Sequence, residues 1–138
     1  MSELQEITDL LGIGKNPVAP LEFVDLVQEG LPLKSLNRLS VRIAPADATF
    51  KYRLVPKATL ARYAVRLNSM QSNRIARVAR LWAFARRIWG SDERTRDFLF
   101  QPHQLLNGRP PIDVAIENEI GAELVRDILG RLEFGSAV

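Results

Sequence analysis

Along every long segment of this chain the apolar residues recur at three- and four-residue intervals, and nowhere do they keep the two-residue alternation of a strand. A chain patterned in this way buries stripes rather than faces, so it folds as packed helices, and the expected class is all-α. Proline and glycine mark where the helices stop. Gly12, Gly14, Pro17 and Pro20 allow one short helix and a flexible lead-in over residues 1–20. From Leu21 a helix runs to about Gln28 with Leu21, Val24 and Val27 on one face, and Gly30 followed by Pro32 ends it, Gly30 taking the C′ position. Leu33 to Ile43 turns Leu36, Leu39 and Ile43 inward. Pro45 begins a short helix through Phe50 to Leu54, and Pro56 begins another whose inward stripe is Leu60, Ala64 and Leu67.

The most periodic segment carries Ile75, Val78, Ala79, Trp82, Ala85 and Trp89 on one side and reads as a central helix ending at Gly90. Trp82 and Trp89 share that stripe with aliphatic residues, which makes them core residues rather than a stacking platform. Arg74, Arg77, Arg80 and Arg87 lie opposite and chiefly keep the helix soluble. A helix follows from Asp92 to Phe100. Pro102, Gly108, Pro110 and Pro111 then force an ordered turn around Leu105 and Leu106. Residues Ile112 to Leu132 give two helices or one bent helix, interrupted near Gly121, with Ala122, Val125, Leu129 and Leu132 inward.

Catalysis has little to work with. The chain of 138 residues has no cysteine and a single histidine, so it lacks a thiol nucleophile, a thiolate metal site and a second imidazole. His103 follows Pro102 in a loop and reads as a surface or capping residue. Glu117 and Glu119 sit two apart on a helix and point in different directions, so they read as a solvated face rather than an acid–base pair. The chain is therefore expected to be no enzyme and to need no cofactor or metal. No apolar run approaches a membrane span, and Glu3, Glu6 and Asp9 stand where a signal peptide would be basic, so a cytoplasmic protein without a membrane partner is expected.

The overall charge of +3 is divided unevenly. Residues 1–33 hold one basic residue against six carboxylates, residues 34–96 hold fifteen against three, and residues 97–138 hold three against seven. A basic block between acidic ends points to a polyanion as partner for the middle, the other account being a solvated helix face. The two short helices meeting at Leu54, Val55 and Pro56 have the dimensions of a helix-turn-helix, in which the second helix would present Lys57, Thr59, Arg62 and Arg66 to phosphates and base edges, although two ordinary helices of an α-helical bundle have the same spacing.

The order and spacing of several segments resemble the antitoxins of the RES-Xre type of bacterial toxin–antitoxin system, over about residues 21–135. They are Gly30-Leu31-Pro32, Lys57 through Arg62, Ser72 through Ala79, Leu105-Leu106-Asn107-Gly108-Arg109-Pro110-Pro111, and Gly121 through Gly135. The resemblance implies an Xre-like helix-turn-helix bundle for DNA binding and dimerisation over residues 21–89, followed by a small helical toxin-binding domain of the Xre/MbcA/ParS kind over residues 90–138. It implies as partner a RES-domain toxin that consumes NAD, inhibited when the C-terminal module covers its active-site cleft. Carried over, the toxin-facing residues fall in Leu105 to Asp113 and in Arg126 to Gly135, comprising Leu105, Leu106, Arg109, Arg126, Leu129, Arg131, Glu133, Phe134 and Gly135. Of these, Arg131, Glu133 and Phe134 would lie nearest the cleft, with Arg131 and Glu133 paired to groups that otherwise hold the dinucleotide. A homodimer that binds operator DNA, hetero-oligomerises with its toxin and represses its own operon is the implied assembly, with Leu21 to Val27 and the exposed parts of the Ile75–Trp89 helix as candidate dimer faces.

Two departures bear on the DNA-binding half. Arg53-Leu54-Val55-Pro56 has no glycine where such turns often carry one, and Ala44-Pro45 stands where a polar N-cap is usual. The alternative function is a stand-alone helix-turn-helix regulator with no toxin partner.

Overall fold

The computed structural model describes residues 2–14, 17–62 and 65–135. Among these, nine α-helices and one 3₁₀ turn follow one another with no strand between them, as the periodicity requires. The chain divides between Ala79 and Arg80 into two units.

In the first unit, α1 (Glu3–Leu11) is capped by the Ser2 hydroxyl, which accepts from the Gln5 amide at 3.1 Å. Its buried Ile7, Leu10 and Leu11 lie against α3 (Leu33–Ile43). Carbonyls at its C-terminal end are met by α3: Ser35 donates to Leu11 at 2.7 Å, and the Arg38 guanidinium donates to Leu10 at 3.0 Å and, beside the Gly12 amide, to Asp9 at 2.7 Å. The short helix expected in the lead-in is thus part of the packed unit. On α3 itself Leu36, Leu39 and Ile43 are buried as expected.

Helix α2 (Pro20–Glu29) starts at Pro20, but its buried side is not the expected one. Val27 is buried, while Leu21 and Val24 are 70% and 54% exposed. At about 100° per residue, steps of three drift by about 60°, so Val27 lies about 120° around the helix from Leu21. The covered side is that of Phe23, Leu26 and Val27.

The segment from Pro45 to Phe50 is turn rather than helix, built on Asp47, whose carboxylate accepts from the Thr49 amide and hydroxyl at 2.9 and 2.6 Å. Helices α4 (Lys51–Leu54) and α5 (Lys57–Leu60) are one turn each. The helix expected from Pro56 through Leu67 therefore ends at Leu60, because residues 65–67 pair with residues 31–33 instead. The Leu33 amide donates to Val65 at 3.0 Å and the Leu67 amide to Leu31 at 2.8 Å. Leu67 is buried by this pairing, Leu60 is only half-buried, and Ala64, like Tyr63, lies outside the described residues. Gly30 makes the close approach possible. It has φ +111°, and a Cβ there would stand 2.2 Å from the Leu67 carbonyl oxygen.

Helix α6 (Ser69–Trp89) buries Ile75, Val78, Ala79, Trp82 and Ala85, and also Ala76, Leu81 and Ala83, which makes it a core helix on more than one side; Trp89 is half-buried. In the second unit, α7 (Asp92–Phe100) begins on Ser91, whose hydroxyl accepts from the Arg94 amide. A 3₁₀ turn (Gln104–Leu106) leads to α8 (Pro111–Glu117) and α9 (Glu119–Glu133). The two last helices part at Asn118, whose side chain accepts from the Gly121 amide at 2.8 Å, so the break precedes the expected Gly121 by a few residues. Gly121 sits in the first turn of α9, where a Cβ would come within 2.1 Å of the Val114 carbonyl oxygen. The helices cross closely there, and Ala122, Val125, Ile128 and Leu129 fill the core. No helix among the described residues is long and apolar enough to cross a membrane.

Candidate partner-binding site

The second unit presents two features where the carried-over residues fall. The first is the turn between α7 and α8. Asn107 and Gly108 both take positive φ, +56° and +80°, which reverses the chain and lets the Gly108 amide donate to the His103 carbonyl at 2.9 Å. His103 Nδ1 accepts from the Leu105 amide at 3.1 Å, so this histidine caps the 3₁₀ turn, the capping alternative foreseen for it. Leu106 is buried and holds the turn in place, while Leu105 beside it is 50% exposed. Arg109 pairs with Glu117 at 2.5 Å on the rim.

The second feature is the end of α9. Arg126, Asp127, Gly130, Arg131 and Phe134 line an open depression of about 370 Å³. The Arg126 guanidinium lies 4.6 Å from the centre of the Phe84 ring, and Arg87 approaches the same ring at 5.0 Å while pairing with Glu133 at 3.0 Å. Arg126 Nη1 is buried with no hydrogen-bond partner among the described residues. Phe134 is 84% exposed, and Gly135 follows with φ +77°. Of the nine carried-over residues, Arg126, Arg131 and Phe134 come together at this depression; Leu106 and Leu129 are core residues, and Glu133 is engaged with Arg87. Residues 136–138, which follow this end, lie outside the described residues.

Sequence reasoning passed over Phe84, the ring between the two arginines, and the exposed Ile120 and Leu124 on α9. The latter pair was visible as an i, i+4 apolar step opposite Ala122 and Val125. The role of Phe84 was not visible, since it depends on Arg126, which is far away in sequence. Also passed over was a cleft of about 490 Å³ lined by Trp89, Arg94, Asp97, Phe98, Gln101, Pro102, His103 and Leu132, in which the Trp89 and Phe98 rings lie 5.6 Å apart.

In the first unit, Lys57 and Arg62 are exposed and Thr59 is half-buried. Arg66, expected beside them on one helix, lies outside it, and its Nη1 donates to the Gly30 carbonyl at 2.9 Å. Lys57 instead joins Lys51: their ammonium groups stand 5.6 and 5.4 Å from the centre of the Tyr52 ring. At the nearby turn the Thr49 hydroxyl, then its amide and more weakly Arg53, hold the Asp47 carboxyl below the ordinary aspartate value.

A small helical unit with an exposed aromatic and arginine-lined end is the equipment of a protein-binding module, and residues 84–135 match a family of toxin-binding domains from antitoxins. That family is described as the antitoxin Xre/MbcA/ParS C-terminal toxin-binding domain. The match supports an antitoxin role for the chain and a toxin as its partner, and it concerns a binding domain rather than a catalytic one. No curated protein matches the chain.

Proposed function

We propose that this protein is the antitoxin of a two-component pair, that its toxin is a RES-domain enzyme consuming NAD, and that inhibition is steric, with the end of α9 seated over the toxin's active-site cleft. The observation that carries the antitoxin part of the reading is the match of residues 84–135 to a toxin-binding domain, while the RES-domain toxin follows from the resemblance in segment order. The exposed Phe134 beside Arg126 and Arg131 supports the placement of the inhibitory element, because an exposed aromatic flanked by guanidinium groups is the composition of binding hot spots. Leu105 on the neighbouring turn and Arg109 on its rim complete the proposed contact surface. The first unit is proposed to bind operator DNA through Lys57, Thr59 and Arg62, with Arg66 positioning the turn, and so to repress its own operon. Self-association through the exposed Leu21 and Val24 of α2 belongs to the same proposal, as does a cytoplasmic location.

The test is co-expression with the protein encoded next to it, followed by purification through a tag on that partner alone. A complex without NAD-consuming activity, which recovers activity when residues 131–138 are deleted, is the expected result. Failure to co-purify, with binding to its own upstream DNA retained, would leave the stand-alone regulator as the better account.

A further inference from the structure

We infer that the corner made by α4, Val55-Pro56 and α5 holds double-stranded DNA by its phosphate backbone alone and reads no bases. The inference rests on the DNA-binding half of the function proposed above and replaces its operator reading: the corner contributes affinity without choosing a sequence, so repression through operator recognition does not follow from it.

The first argument is length. Helix α5 has four residues, about one turn, so it turns only one or two side chains to a groove, whereas the motifs that read bases bring about three or four side chains to base edges. Nor can α5 lengthen to the extent its sequence suggests. Residues 65–67 are fastened to residues 30–33 by the Leu33 amide on Val65, the Leu67 amide on Leu31 and the Arg66 guanidinium on Gly30, with Leu67 buried beneath. Arg66, one of the two arginines that could have read guanine, is thereby withdrawn from any groove-facing row.

The second argument is charge. Among the described residues no carboxylate pairs with Lys51, Lys57 or Arg62, whereas Arg86, Arg87, Arg96 and Arg109 of the second unit all have one. Between residues 30 and 91 the only acidic residue is Asp47, and its carboxylate already accepts from Thr49 and lies in the field of Arg53. Tyr52 meanwhile gathers the Lys51 and Lys57 ammonium groups around one ring. Like charges gathered with no counter-charge repel, and a phosphate row relieves the repulsion. The corner is also held firmly, since Arg74 Nη1 donates to the Leu54 carbonyl at 2.9 Å. A lysine can serve a phosphate as a point charge, and that contact carries no base information.

Fluorescence anisotropy on the full chain decides the matter, with two labelled duplexes of about 20 base pairs, one from upstream of its own gene and one scrambled, titrated between about 50 and 200 mM salt. The expected result is equal affinity within about threefold and a slope of log K against log salt near −2.7 for three neutralised phosphates. Lys51→Ala, Lys57→Ala and Arg62→Ala should each remove about one unit of slope on both duplexes, and Lys57→Arg should restore it. A preference of about tenfold or more for the upstream duplex would overturn the inference and leave DNA binding standing. Slopes unmoved by all three alanine variants would overturn the placement at this corner. Failure to bind either duplex at the lowest salt would overturn DNA binding itself, and the inference with it. Unchanged thermal unfolding of each variant separates these outcomes from misfolding.

Discussion

Gly30 and Phe134 show how differently single residues act in this protein. At Gly30 the backbone conformation and the space agree: φ +111° suits only glycine, and a Cβ would strike the Leu67 carbonyl. Gly30→Ala is expected to lower unfolding free energy by about 2–4 kcal/mol, read by urea or thermal denaturation, since strain and displacement of the paired segment add. Phe134 touches little of its own chain, being 84% exposed. Phe134→Ala should shift stability by less than about 0.5 kcal/mol while weakening the toxin complex about tenfold or more, about 1.4 kcal/mol, by titration calorimetry. Equal affinity of variant and parent would remove Phe134 from the proposed contact. The glycine's place as a helix terminator was legible from Gly30 and Pro32; its contact with Leu67 was not, because that partner is fixed by tertiary pairing.

At the scale of elements, the long helices were legible and the short ones were not, for a physical reason. In α6 and α9 the stripe is long enough for the helical period to outweigh any competing contact, and Ile75, Val78, Trp82, Val125 and Leu129 are all buried as their spacing requires. Leu60, Ala64 and Leu67 have the same spacing, yet Leu67 is buried through a bond to Leu31 rather than by helix. A single turn gains too little from its own hydrogen bonds to resist such a partner. The crossing of α8 and α9 is set by a missing side chain: Gly121→Ala forces the Cβ onto Val114 and should destabilise the protein by about 1–3 kcal/mol. Since that crossing positions the α9 end, the variant should also weaken co-purification of the toxin. Normal stability in Gly121→Ala would mean that the helices can part without loss.

Across the whole molecule, the charge division seen in the sequence has a structural counterpart. The second unit's Arg86, Arg87, Arg96 and Arg109 are paired with its carboxylates, and among the described residues Lys51, Lys57 and Arg62 of the first unit are not. The basic block read as one stretch is therefore two kinds of surface, and the total charge could not tell them apart. The candidate contact at the α9 end came into view through the resemblance and the residue types, while its Arg87–Phe84–Arg126 support became visible only once the chain was folded. If the two surfaces act separately, Lys51→Ala with Lys57→Ala should leave the affinity for the toxin unchanged within about twofold, or 0.4 kcal/mol. A larger loss would tie the corner to toxin binding.

The fastening of Arg66 to Gly30 spans 36 positions of chain, so it closes a loop that carries α3, α4 and α5. Closing a loop costs entropy before the contact returns anything, so such a loop forms late in folding and opens as one body. The amides of Leu33 and Leu67 should accordingly exchange with deuterium at a common rate, and Gly30→Ala should raise both rates together without hastening exchange in α9.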